Sequence, residues 1–192
     1  IIVLITTRSG VFNYLANNIL MLTKGHPIKI LVALGLFTAV LSAFLDNVTT
    51  VILVMPITFS IAKKLEINPI PYLLTEIFAS NIGGTATLIG DPPNIIIGSA
   101  GGLSFMDFVK ELTGIVAIIL VFVLIFLVLC FRKMLVATPE KMKEILNIDN
   151  SNVITDKALM IRSVTVLLLV ILGFMLHDVL HLETCVVAML GA

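Results

Sequence analysis

The sequence predicts an all-α membrane protein, centred on a re-entrant helical hairpin set beside a broken transmembrane helix. Three observations carry that reading. Of the 192 residues, 59% are hydrophobic and only 12% charged, with a mean hydropathy of +1.16. A soluble domain has about twice that charged fraction, so this chain cannot cover a water-facing surface. The run LTGIVAIILVFVLIFLVLCF, Leu112–Phe131, is 20 residues without a charge, about what a helix needs to cross a ~30 Å hydrocarbon core. Finally, NIGGTATLIGDPPNII, Asn81–Ile96, places three glycines and two adjacent prolines inside apolar surroundings. A formal net charge of zero gives no global field that would draw nucleic acid or an acidic partner.

Residues 1–10 read as the end of a preceding transmembrane helix. In residues 11–24, VFNYLANNILML puts Asn13, Asn17 and Asn18 on one side and Phe12, Leu15, Ile19 and Leu22 on the other. Twelve residues are too few to span, which predicts an interfacial helix. Residues 28–64 hold two apolar limbs, Ile30–Leu45 and Val48–Ala62, around Asp46-Asn47. At 1.5 Å per residue each limb is ~22–24 Å long, short of the ~30 Å core. Lysines flank both outer ends (Lys24, Lys29; Lys63, Lys64). Positive-inside logic puts both ends at the cytoplasmic face, with a tip at 46–50 pointing into the membrane. An ordinary pair of spanning helices with a tight external turn is the alternative.

Residues 69–109 then read as two half-helices around an unwound segment at 82–94. Pro92 and Pro93 remove backbone donors, and Gly83, Gly84 and Gly90 weaken any helix. Non-helical backbone at membrane depth persists only where protein or a water-lined cavity satisfies it. A spanning helix at 111–131 follows, then a solvated cytoplasmic linker at 132–157 with one short surface helix. Another spanning helix occupies 158–178, with Arg162 snorkelling near its cytoplasmic end. Residues 184–192 read as the start of a further helix. The apolar ends and the missing initiator Met suggest a piece of a longer polypeptide. This topology places Lys24, Lys29, Lys63, Lys64, Arg132, Lys133, Lys141, Lys143, Lys157 and Arg162 inside, ten of the twelve basic residues.

Acids at membrane depth are costly, about 2.5–3.5 kcal/mol on insertion scales, and mark function. Three qualify: Asp46, Glu76 and Asp91. Around them lie Asn47, Thr49, Thr50, Ser80, Asn81, Thr85, Thr87 and Asn94. Such oxygens, with freed backbone carbonyls, can replace the hydration shell of a hard cation, while half-helix N-termini attract anions. Rival motifs fail. GGTATLIGD lacks the GK[ST] of a phosphate loop, and no GxGxxG occurs. No histidine shares the depth of the membrane serines, so a Ser/His/Asp hydrolase has no assembly. The chain reads as no enzyme and needs no organic cofactor. His177 and His181 could hold a metal at i, i+4 spacing, but interfacial positions fit them better. Cys130 and Cys185 read as buried free thiols.

At SAFLDNVTTVILVMPIT and ASNIGGTATLIGDPPNIIIG, with SGVF before them, the sequence resembles the ion transporter superfamily. Its arsenical-pump membrane protein and P protein branch is the nearest; Na⁺/H⁺ antiporters of the NhaD type and citrate or dicarboxylate carriers are relatives. The resemblance covers most of residues 8–131. It implies an inverted repeat, of which this chain holds one half, and alternating access in a multi-pass protein of a prokaryotic plasma membrane. It also implies an inorganic ion or small anion as substrate, Na⁺ or H⁺ as coupling ion, and a homodimer. A cytoplasmic ATPase subunit would join if the arsenite-pump type applies. By position, Asn47-Val48-Thr49 stands where dicarboxylate relatives carry a Ser-Asn-Thr tip, with Asp46 replacing the serine. Gly83, Gly84 and Thr85 match the break facing that tip. The resulting site set is Asp46, Asn47, Thr49, Thr50, Asn81, Gly83, Gly84, Thr85, Thr87, Asp91 and Asn94, with Na⁺ at Asp46, Asn47 and Gly84. A passive channel or a structural membrane subunit are the competing readings; unit-conductance steps, or insensitivity to substitution at Asp46, Asn47 and Asn81, would respectively favour them.

Overall fold

Local sequence signals mark most helix ends in the computed structural model, which describes residues 5–6, 8–146, 154–176, 186–187 and 189. All eight helices among them are α: α1 Val11–Thr23, α2 Pro27–Ser42, α3 Asn47–Leu65, α4 Ile70–Gly84, α5 Pro92–Gly101, α6 Phe105–Phe131, α7 Pro139–Leu146 and α8 Lys157–Leu176. No strand occurs among the described residues. Lys24, left-handed at φ 52°, ends α1, and Pro27 opens α2, where its missing N–H costs nothing. Asp46 caps α3 by accepting the Thr49 N–H at 2.9 Å. Ser104 and Asp107 form a reciprocal capping box on α6.

The α2–α4 pair forms the heart of the fold, and it is parallel. The Tyr72 hydroxyl donates to the Pro27 carbonyl at 3.2 Å. Farther along, Gly35 lies against Thr75, Gly83 against Ala39, and Gly84 against Ser42. Helix α3 returns antiparallel, bonded to α4 by Asn47–Asn81 near the tip and by Thr58–Glu76 lower down. Leu31, Leu34, Val54, Ile57, Ile61 and Tyr72 fill the space between them. Burying each apolar side chain of this size contributes about 1.5–3 kcal/mol in a water-referenced account. Within a bilayer the corresponding gain is close packing rather than escape from water.

Several expectations change here. The second hairpin limb is a 19-residue helix, not 15, because Lys63 and Lys64 continue the helix to a left-handed Glu66 cap at φ 56°. At ~28 Å it can cross a bilayer by length, so short limbs no longer argue for re-entry; α2, at 16 residues, stays short. The unwound segment is narrower than 82–94: α4 runs through Gly84 and α5 begins at Pro92, leaving residues 85–91. Helix α6 starts at Phe105 and has 27 residues. It and α3 are the described helices long and apolar enough to span a membrane. Six of the exposed residues on its outer face are Ile115, Ile118, Phe122, Ile125, Phe126 and Leu129.

The segment after α6 is docked rather than simply solvated. Leu135 is buried in the main core and Met142 packs against it, while Lys141 pairs with Glu66 at 3.0 Å. Helix α7 therefore lies against the α1–α2 turn and the end of α3. Thr155 bonds the carbonyls of Arg8 and Ser9, tying the start of α8 to the segment before α1. Cys130 is exposed, not buried, since it falls on the outer face of α6. Cys185, His177 and His181 lie outside the described residues, as do 147–153 and most of 184–192.

Candidate functional site

The α2–α3 turn and the α4–α5 break meet at one level. Asn47 Nδ2 donates to Asn81 Oδ1 at 3.0 Å, and Asn81 Nδ2 donates back to the Ile77 carbonyl at 2.7 Å. The Thr87 hydroxyl donates to the Ala43 carbonyl and accepts the Gly90 N–H at 3.2 Å. Two side-chain bonds thus join tip to break.

Close backbone approach explains the glycines. A Cβ on Gly83 would lie 2.5 Å from Ala39 Cα, and one on Gly90 2.6 Å from the Ser42 carbonyl oxygen. Neither residue, nor Gly84, has positive φ. Gly83 and Gly84 are therefore helical and serve contact, not unwinding: Gly83 lets α4 touch the backbone of α2, and Gly84 lets it touch the backbone of Gly90. The break itself follows from the Pro92-Pro93 pair, which cannot supply the N–H groups a continuing helix would need.

Much of the polar inventory is spent holding the break. Buried Asn94 donates through Nδ2 to the carbonyls of Thr85 at 3.1 Å and Thr87 at 2.8 Å, groups that would otherwise be left without helical partners. Thr85 bonds back to the Asn81 carbonyl at 2.9 Å. Asn94, Thr85 and Thr87 are thus positioning groups first. Thr49 is half-buried, its N–H committed to the Asp46 cap. Buried Thr50 has a hydroxyl with no partner. Asp91 sits at the N-cap of α5 in extended conformation, yet its side chain makes no capping bond.

Helix N-termini offer less to an anion than the sequence suggested. Pro92 and Pro93 carry no N–H, and the next two donors, of Asn94 and Ile95, return to the Asp91 carbonyl. At α3, the N–H groups of Val48, Thr49 and Thr50 are taken by Asn47 and Asp46. What remains at this level is mainly oxygen: the carboxyls of Asp46 and Asp91, and the Ser42 and Thr50 hydroxyls. Such a set suits a hard cation.

Sequence reasoning did not select Thr38, Ser42 and Thr58, all fully buried. Their signal was three hydroxyl residues on inward faces of the hairpin limbs, hidden because Ser and Thr occur widely in membrane helices. Glu76, singled out as an acid at depth but left out of the site, is also fully buried, with Oε2 unpartnered.

A family model described as citrate transporter matches residues 1–192. The chain is 46% identical over its whole length to the 46 kDa membrane protein of Mycobacterium leprae, covering 45% of it. It is 42% identical over its whole length to an uncharacterized transporter of Mycobacterium tuberculosis, covering 44%. Over 152 residues, 76% of the chain, it is 40% identical to the human P protein, covering 18% of that protein. The chain spans less than half the length of the curated relatives it matches.

Proposed function

Because the chain belongs to the citrate transporter family of the ion transporter superfamily, and so to a family of membrane transporters, we propose that it forms half of a secondary active transporter driven by Na⁺ or H⁺. The polypeptide moves an inorganic ion or small anion by alternating access, in a multi-pass arrangement with an inverted repeat. The observation that carries the reading is the docking of the α2–α3 tip onto the α4–α5 break. Asn47–Asn81 and Thr87–Ala43 close one surface around Asp46 and Asp91. Sidedness follows from the basic ends: the α1–α2 turn, the end of α3 and α7 lie together, where the lysines gather at the cytoplasmic face. Re-entry of the hairpin rests on this sidedness and on the shortness of α2.

Coupling falls to Asp46 with Asn47 and Asn81, joined by carbonyls near Gly84. Among the described residues no three His, Cys, Asp or Glu side chains gather as a metal site. A bound Na⁺ would therefore draw on mixed carboxyl, amide, hydroxyl and carbonyl oxygens. The scarcity of free N–H donors supports a second reading, in which the cation is itself the cargo and the protein exchanges Na⁺ for H⁺. A homodimer, or a cytoplasmic ATPase partner in the arsenite-pump manner, belongs to the same proposal.

The test is flux into liposomes holding the full-length polypeptide, with arsenite, citrate or Na⁺ as cargo against imposed Na⁺ or pH gradients. Coupled transport predicts flux that follows one gradient and loses that dependence in Asp46→Asn. Flux indifferent to both gradients and to Asp46→Asn would sink the coupling model, and unit-conductance steps would indicate a channel.

A further inference from the structure

Below the tip, between α2, α3 and α4, lies a buried acid that the tip-and-break site does not use. Glu76 is fully buried. Its Oε1 accepts the Thr58 hydroxyl from α3, and its Oε2 has no partner. Three further fully buried oxygens, Thr38 Oγ1, Ser42 Oγ and Thr50 Oγ1, are also without partners. Their levels follow from the packing. Helix α2 runs parallel to α4, with Gly35 at Thr75 and Ala39 at Gly83, so Thr38 stands between the levels of Glu76 and Gly83. Ser42 reaches Gly84. Helix α3 runs antiparallel, with Thr58 at Glu76 and Asn47 at Asn81, so Thr50 stands between those levels. The three hydroxyls thus stand at levels between Glu76 and the tip, none hydrogen-bonded to another or to Oε2.

Among the described residues no cation balances this acid. The titratable groups on α2 and α3 lie toward their ends: Lys29 on α2, Lys63 and Lys64 on α3, and Asp46 at its cap. On α6 they are Asp107, Lys110 and Glu111 in the first turns and Cys130 near the end. On α4 itself there is Tyr72, whose hydroxyl is committed to Pro27. An unpaired carboxylate in such surroundings costs several kcal/mol, which is avoided when a proton sits on it. A proton needs one oxygen and one acceptor, whereas a hard cation such as Na⁺ needs about six oxygens. Among the described residues, Thr58 is the group bonded to this carboxyl.

We propose that Glu76 is the proton-carrying side chain of the transport cycle, loaded and unloaded from the tip through the hydroxyls of Thr38, Thr50 and Ser42. Loading places H⁺ on Oε2 and leaves Oε1 as the carbonyl oxygen that accepts from Thr58. Unloading returns the proton toward the tip through water that the partnerless hydroxyls of Thr38, Thr50 and Ser42 would hold between them, each oxygen on the way accepting one proton and giving one, so no other group changes its protonation. The purpose assigned to the proton rests on the transporter reading; its binding does not.

Infrared difference spectroscopy on the full-length polypeptide, between acid and alkaline pH without substrate, tests the binding directly. A protonated-carboxyl C=O band should be present, lost in Glu76→Gln and retained in Asp46→Asn. Thr58→Val should move that band to higher frequency, as a carbonyl freed of its hydrogen bond does, and Thr38→Val should slow its hydrogen–deuterium exchange several-fold. A spectrum unchanged by Glu76→Gln overturns the proposal. So does a band that Na⁺ abolishes at fixed pH, which would make the carboxyl a metal ligand. If Glu76→Gln fails to fold, the Thr58→Val shift decides, and an unmoved band refutes the assignment. In liposomes, Glu76→Gln should lose the dependence of arsenite or citrate flux on an imposed pH gradient. Retained dependence refutes the role in transport. Absence of flux in the wild type would overturn the transporter reading while leaving the infrared result to judge the proton site.

Discussion

Replacing Gly83 by alanine sets two effects of opposite sign against each other, and the structure decides between them. Within a helix, alanine gains up to about 1 kcal/mol over glycine. Against that, the new methyl would lie 2.5 Å from Ala39 Cα and 2.6 Å from its carbonyl carbon. Optimal carbon separations are about 3.5–4 Å, so α2 and α4 must part by roughly 1 Å. No side-chain rotation relieves a clash with backbone. Overpacking of this kind costs about 1–3 kcal/mol, and separation also strains Asn47–Asn81 and Thr87–Ala43, which bridge the same level. A net loss of about 1–2 kcal/mol follows, or roughly 2–8 °C in midpoint at ~2–4 °C per kcal/mol for a chain of this size. Thermal unfolding followed by circular dichroism, in one detergent for every variant, measures it. Gly114→Ala supplies the contrast, because a Cβ there meets nothing within 4 Å; it should be neutral or slightly stabilising. Gly83→Ala as stable as wild type would refute the claim that close helix approach is the reason for glycine.

The remaining predictions concern the same region and its periphery. Asn94→Ala should lower stability by about 2–6 kcal/mol in the same unfolding series, since two carbonyls lose their donor at about 1–3 kcal/mol each. Asn81→Ala, at an exposed position, should cost less than about 1.5 kcal/mol of stability yet reduce liposome flux at least tenfold, because it removes one of the two bonds that join tip to break. Reversing the Lys141–Glu66 ion pair by the double substitution Lys141→Glu with Glu66→Lys should leave stability within about 1 kcal/mol of wild type, as suits an exposed ion pair.

The fold was legible wherever a local signal coincided with a structural boundary. Lys24-Gly25, Pro27, Asp46 and Pro92 all mark helix ends in the sequence and in the structure. Where hydrophobicity alone drew the line, it erred: charges at Lys63 and Lys64 suggested an end, but lysine is a good helix former and the helix continued. Gly83 and Gly84 were read as unwinding the chain, whereas both lie inside α4. Composition reports that glycine weakens a helix; only the packing reveals a neighbour's backbone where a side chain would go. Thr38 and Ser42 were invisible because the meaning of a buried hydroxyl depends on what it faces across a helix pair. The parallel course of α2 and α4 could not be read from either helix alone.

That parallel course brings four helix ends into one neighbourhood. Helices α2 and α4 finish there, and α3 and α5 begin there. Each terminus carries a partial charge of about half an elementary unit, negative at a C-terminus and positive at an N-terminus. Two of each sign compose a quadrupole whose net charge is close to zero. The scaffold therefore exerts little long-range preference for ions of either sign, and its field decays steeply away from the site. On the proposed function, discrimination by charge falls to Asp46 and Asp91, the two acids at this level. Related chains could reverse ion preference by substituting those two positions while keeping every helix in place.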